Sequence, residues 1–150
     1  MRFRWFENDA TIITRISANA IRVHQLETQK IHHDTTSLTL FGSYDNPHQD
    51  ESVLPAYGYN KDGHADCKQI VFGLNITEDG HVPISYQIYD GNTVDSDIHV
   101  SNWDVLRQQL KTEKFIYTSD GKLCGMENMA YIAKNGGQFI MTDTLSKKVF

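Results

Sequence analysis

Cysteine is scarce in this sequence. Cys67 and Cys124 are too few for a disulfide framework and lack the spacing of a metal site, so both are read as reduced, small apolar residues. Long apolar runs are absent: nothing approaches the roughly 20 residues that cross a bilayer. The opening Met1-Arg2-Phe3-Arg4-Trp5 has no apolar signal core, so cytoplasmic residence and no membrane partner are expected. Basic charge is also in deficit. With 14 Lys and Arg against 19 Asp and Glu, the net charge is −5, which argues against a polybasic nucleic-acid binder. It leaves room for a phosphate-handling site whose acids are neutralised by a divalent cation. Gly80, Gly91, Gly121 and Gly136 are scattered and form no phosphate-cradling loop, and no Gly-x-Ser-x-Gly elbow occurs. Internal repeats, linkers and low-complexity tracts are missing too. The 150 residues therefore fit one domain with a core of its own.

What is present is a legible series of elements. Asn8 and Asp9 are N-cap candidates for a helix whose apolar face, Ile12, Ile16, Ala20 and Val23, runs to about Leu26. Ile31–Leu40 has strand character. Residues 43–66 are polar and rich in turn formers, and a loop of that length in a small domain is often functional. Ile70, Phe72, Leu74 and Ile76 alternate, Thr77-Glu78-Asp79-Gly80 supplies a turn, and Val82, Ile84, Tyr86 and Ile88 alternate again, which predicts a hairpin. Pro83 marks a strand end or an edge. A helix should begin near Asp95–Asp97 and present Trp103, Leu106 and Leu110, up to about Thr112. Phe115–Thr118 is a short strand. Met126–Lys134 is a helix with Met126, Met129, Ala130 and Ala133 on one face, stopped by Asn135-Gly136-Gly137 as a left-handed C-cap, and Gln138–Met141 is a last strand. Three strands in hairpin-like succession followed by helix–strand units predict an α/β mixed sheet with packed helices. In that arrangement the middle of the first strand lies beside the end of the fourth.

Two acids draw attention in this scheme. Asp34 interrupts a Thr-rich strand, where Asp is depleted, and Asp120 ends the strand Phe115–Thr118. Side by side they would cage Mg²⁺, a hard ion that takes oxygen ligands. Two such ions would activate a water or a 3′-hydroxyl and stabilise the leaving oxygen of a phosphodiester. The alternative is a structural Asp34, paired with His32, His33 or a backbone N–H. Thr35 and Thr36 are placed to orient the Asp34 carboxylate through their hydroxyls. His64-x-Asp66-Cys67 offers three ligand types but no fourth at a familiar spacing. Lys61 and Lys68 flank the long loop and are candidates for meeting phosphates.

Asp34-Thr35-Thr36-Ser37, the run Gly58-Tyr59-Asn60-Lys61-Asp62-Gly63-His64 with Asp66, Lys68, Gln69 and Ile70, the triplet Gly91-Asn92-Thr93, and Ser119-Asp120-Gly121 with Leu123, Glu127 and Asn128 resemble bacterial insertion-sequence transposases of the DDE type. The likeness is to the group with a β-rich insertion before its last catalytic residue, and it spans about residues 10–143. The resemblance implies an RNase H-like fold, Asp34 and Asp120 as catalytic, metal-binding acids, and Mg²⁺ or Mn²⁺ as cofactor. It further implies DNA, both transposon ends and target, as partner, and Lys61, Asp62 and Lys68 as candidate site residues. The family's third acid, a Glu on a later helix, has no counterpart here, since the last Glu is Glu127 and the sequence stops at Phe150. The expectation is a partial core: a leading helix in 1–30, a core in 31–143 and a tail in 144–150, cut before the last catalytic helix and inactive alone. Such a core would leave apolar sheet surface uncovered and self-associate or bind full-length transposase. Two alternatives stand beside it. One is a non-catalytic remnant that associates with or inhibits full-length transposase. The other is a stand-alone nuclease of the same fold, which would need another acid such as Asp143.

Overall fold

The computed structural model describes residues 6–44, 53–60, 62–120 and 125–141. The chain forms α1 (Phe6–His24), β1 (Lys30–Leu40), β2 (Lys68–Thr77), β3 (Pro83–Tyr89), α2 (Asp95–Leu110), β4 (Ile116–Ser119), α3 (Met126–Lys134) and β5 (Gln138–Met141). This order agrees with the sequence expectation element by element. The strands make one mixed sheet in the order β3-β2-β1-β4-β5. Pairing is antiparallel among β1, β2 and β3, and parallel from β1 through β4 to β5. The strand that carries Asp34 is thus the central one, with the meander on one side and the helix–strand units on the other.

The core sits between the sheet and the pair α2 and α3. Trp103 and Leu106 of α2 join Ile31, Ile84, Phe115, Tyr117 and Ile132, and Ile21, Leu110, Phe139 and Met141 pack around them. Gly136 adopts a left-handed φ of 81°, turning the chain from α3 into β5 as the Asn-Gly-Gly run predicted. Beside it Gly137 lies so close to the core that an added Cβ would fall 2.6 Å from the Trp103 ring.

Three expectations about faces are corrected. The helix α1 begins at Phe6, ahead of Asn8 and Asp9, and its Ile12, Ile16, Ala20, Val23 stripe is not the buried one. Ile12, Ile16 and Val23 are 52%, 59% and 55% exposed, while Ser17 is 4% exposed. The reason is that α1 runs along the edge strand β3, where the Ser17 hydroxyl donates to the Pro83 carbonyl over 3.4 Å. An edge offers a narrow line of contact, and two residues one turn apart, Ser17 and Ile21, occupy it. Ile16→Lys is accordingly expected to change stability by no more than about 0.5 kcal/mol. Ile21→Lys, which would bury a charge against the core, should lower it clearly. Urea titrations of the two variants check the assignment.

In α3 the inward residue is Ile132, at 0% exposure, whereas Met126 is 82% exposed, so the Met126, Met129, Ala130, Ala133 face is not the packed one. The contact of Gly137 with Trp103 pulls the C-terminal end of α3 onto the core and sets the rotation that points Ile132 inward. In β2 the fully buried set is Gln69, Val71, Gly73, Asn75 and Thr77, and the alternating apolar set Ile70, Phe72, Leu74 and Ile76 is only half-buried. Polar side chains occupy the buried face because α2 brings polar partners to it, as described next.

Candidate active site

The pairing of β1 with β4 sets Lys30 beside Ile116, Ile31 beside Tyr117 and His32 beside Thr118, and there it stops. Carried two residues further, the same register sets Asp34 across from Asp120. Both residues are exposed. Side chains alternate along a strand, so Asp34 shares the face of His32, away from the buried Ile31, His33 and Thr35. Because β4 ends at Ser119, the strands part where the acids stand. The result is an open fork with a carboxylate on each arm.

Asp34 is not held in a structural ion pair with either neighbouring histidine. Its Oδ1 accepts the Thr35 backbone N–H at 2.8 Å. The Thr35 hydroxyl donates elsewhere, to Asp95 Oδ1 at 3.1 Å, so orientation of Asp34 comes from the backbone rather than from the expected hydroxyl. His32 pairs with Glu78, which also takes Lys30 at 3.1 Å. The His32 hydrogen bond, seconded by Lys30, holds the Glu78 carboxyl below its usual range.

His33 turns to the opposite face and enters a buried polar network that sequence reasoning missed. Its Nδ1 donates to Asn75 Oδ1 at 3.0 Å. Asn75 and Asn102 exchange amide hydrogen bonds of 2.8 and 2.9 Å, and Asn75 also donates to Ser85 Oγ at 2.9 Å. Asn102 donates to the Tyr117 hydroxyl at 3.0 Å, and that hydroxyl donates to His99 Nδ1 at 3.2 Å. The His33 and Tyr117 rings stack 5.9 Å apart. Burial above all pushes the Tyr117 phenol up, with the charge of Asp120 adding to it and the Asn102 hydrogen bond opposing. The network ties β1 to β2, β4 and α2 directly beneath the fork. Its only sequence signal is a set of polar residues (His33, Asn75, Asn102) at positions whose periodicity matches neighbouring core residues.

The remaining candidates fall elsewhere. Lys68 donates to the Tyr44 carbonyl at 2.6 Å and lies 5.9 Å from the centroid of the Tyr57 ring, inside the loop cluster. Asp62 accepts the Thr39 hydroxyl at 3.2 Å. The His64 ring packs edge-on against Phe41. Lys61, Cys124 and Asp143 lie outside the described residues, and Glu127 is exposed on α3. Among the described residues no three of His, Cys, Asp and Glu converge to hold a metal ion, which removes His64-x-Asp66-Cys67 as a ready-made site. No helix among them is long and apolar enough to cross a membrane.

The five-stranded mixed sheet in this order, flanked by helices, is an RNase H-like fold. The chain is similar to solved structures of Mos1 transposase. Against the Mos1 paired-end complex with left transposon end, the TM-score is 0.50 at 13% identity, over 97% of this chain and 44% of that one. A pre-cleavage Mos1 transpososome gives 0.49 at 10%, over 89% and 42%, and the catalytic domain of Mos1 mariner transposase 0.47 at 10%, over 97% and 64%. At 13% identity the likeness to the paired-end complex is one of fold. No protein-family model and no curated protein matches the sequence. The chain spans 44% of the Mos1 chain in the paired-end complex.

Proposed function

We propose that this chain is a transposase-type core of bacterial insertion-sequence kind that acts on DNA phosphodiesters, with Asp34 and Asp120 as two acids of its divalent-metal site. The observation that supports this is the β1–β4 register, which carries Asp120 opposite Asp34 at the point where the strands part. The donor set suits the ion. Two exposed carboxylates on adjacent strands, about 5 Å apart where strands pair, offer the oxygen ligands that Mg²⁺ or Mn²⁺ takes. A cation held there would supply activation of the attacking oxygen and charge stabilisation for the leaving one. Asp34 and Asp120 hold it, and the Thr35 N–H fixes the carboxylate of Asp34. With a net charge of −5, an unmetallated fork repels a phosphodiester, so DNA approach at this site depends on the cation.

No third carboxylate joins these two among the described residues. Weak metal binding and no strand transfer by residues 1–150 alone are therefore expected. Titration of Mn²⁺ followed by electron paramagnetic resonance should show a site that Asp34→Asn and Asp120→Asn each abolish. Unchanged binding in both variants overturns the assignment. Robust strand transfer on a transposon-end substrate with Mg²⁺ overturns the incompleteness instead.

A second role, association with another copy or with full-length transposase as a non-catalytic partner, is favoured by one feature. Phe72, Leu74, Tyr86 and Ile88 lie on the acid-bearing side of the sheet only half-buried, an apolar patch of the kind that marks an interaction surface. Sedimentation that stays monomeric at every concentration, with and without full-length transposase, removes this role.

A further inference from the structure

Thr35–Ser37, Tyr59, Gln69 and Asn92–Ser96 are far apart in sequence, and the fold brings them to one cleft of about 600 Å³. Thr35, Thr36, Ser37, Tyr59, Gln69 and Asn92 line it. Its walls are built. Ala56 and Gln69 exchange backbone hydrogen bonds of 3.1 and 2.9 Å, and the Gly91 N–H donates to the Leu54 carbonyl at 3.1 Å. The Gln69 side chain, 2% exposed, donates through Nε2 to the Gly91 carbonyl at 2.8 Å and the Tyr59 carbonyl at 3.4 Å. One buried amide thereby clamps the backbones of both walls. Glycine is required at the seam, because a Cβ on Gly58 would lie 2.2 Å from the Gly91 carbonyl oxygen and one on Gly91 1.9 Å from that of Gln69.

The cleft borders β1 at Thr35, the residue after Asp34. Thr35 and Ser37 point to one face of β1 and Thr36 to the other, yet all three line it, so it extends to an edge of the strand. The edge toward β2 is paired through Leu40. The edge it reaches is therefore the one β4 leaves after His32, where the same register carried two residues further would set Asp34 across from Asp120.

Its chemistry selects a ligand. Among the described residues no Lys or Arg lines it and its one charged residue is Asp95, which disfavours a phosphate. Tyr59 is 87% exposed and offers a ring face, while Ser37 and Asn92 offer hydroxyl and amide groups. An aromatic platform beside neutral donors and acceptors suits a planar heterocycle, since bases stack on such rings and hydrogen-bond along their edges. We propose that the cleft takes one unpaired nucleobase of the DNA strand whose phosphate lies at the fork. Tyr59 stacks on the base, and Asn92 bonds its edge. The link to that phosphate rests on the function proposed above, whereas binding of the base does not.

The test uses the full chain and a single-stranded oligonucleotide carrying 2-aminopurine, titrated without metal. Quenching of the fluorophore is expected. Tyr59→Ala should lose the quench and weaken binding about tenfold, and Tyr59→Phe should restore both. Tyr59 is exposed, so circular dichroism should show both variants folded. A fully paired duplex carrying the same fluorophore should not be quenched. Equal quenching by duplex and single strand, or indifference to Tyr59→Ala, overturns the proposal. Tyr59-dependent quenching in a chain that binds no Mn²⁺ upholds the cleft and defeats the acid site, and Mn²⁺ binding at the acids with no effect of Tyr59→Ala does the reverse.

Discussion

Acidification is expected to cost the fold about 3 kcal/mol through His33 alone, as the pH falls from 6.5 toward about 4. Burial, and next the charge of His99, lower the His33 pKa from 6.5 to about 4, while the Asn75 hydrogen bond, the charge of Asp34 and the Leu74 backbone oppose them more weakly. The imidazole is 3% exposed and donates through Nδ1 to the Asn75 amide oxygen. Its Nε2 has no partner among the described residues, so a second proton would be placed in the interior without an acceptor. The unfolded chain takes up that proton near pH 6.5 and the folded chain only near 4. Between those values the unfolded state binds more protons, and stability falls with the pH. Above the unfolded value the contribution is fully present. Urea unfolding at pH 7 and pH 4.5 measures the slope, and His33→Gln, which keeps a donor for Asn75, should flatten it. An equal slope in parent and variant would show that His33 is not the group responsible.

Trp103→Ala should be the most destabilising single truncation in the core, at about 3–5 kcal/mol. A domain of this size is stable by about 5–15 kcal/mol, so the variant sits near the edge of folding. Trp103 is fully buried, with Phe115 and Tyr131 ring centroids 6.2 and 6.3 Å away and the Arg107 guanidinium 4.9 Å from its ring. The close passage of Gly137 makes this side chain the contact between α2 and the turn that follows α3. Alanine leaves a cavity that a glycine on the far wall cannot fill. Trp103→Phe retains most of the ring contact, and the indole N–H has no partner among the described residues. Its loss should therefore be much smaller. Circular dichroism against urea concentration compares the three chains, and equal midpoints for alanine and phenylalanine would refute the packing account.

The element order was legible because it depends on local signals. The Asp79-Gly80 turn, the Asn135-Gly136-Gly137 stop and the spacing of Trp103, Leu106 and Leu110 each act over a few residues. The faces were less legible. Ile12, Ile16 and Val23 have the spacing of a buried stripe, yet which side of a helix is covered depends on what packs there, and an edge strand covers little. The hairpin misled in the same way. Ile70, Phe72, Leu74 and Ile76 alternate as a core face should, but α2 presents His99 and Asn102 to the sheet, where Asn75 pairs with Asn102, and Gln69 on the same face donates to the Gly91 and Tyr59 carbonyls.

At the candidate site the division is similar. Asp34 stands out in the sequence because an acid in a Thr-rich strand conflicts with strand propensity, and Asp120 because it closes a short apolar strand. Gly58, Tyr59, Gln69 and Gly91 stand out only as pieces of a resemblance. Composition and periodicity determined the mixed sheet, its order of elements and the two acids, since these follow from propensity and turn chemistry within short windows. Tertiary structure decided that β1 and β4 pair in parallel only as far as His32 and Thr118, that His33 lies in a buried network rather than beside the acid, and that three distant segments close one cleft. Those outcomes rest on strand register and on the approach of two glycine backbones across a buried glutamine, contacts between residues remote in the chain that no local window contains.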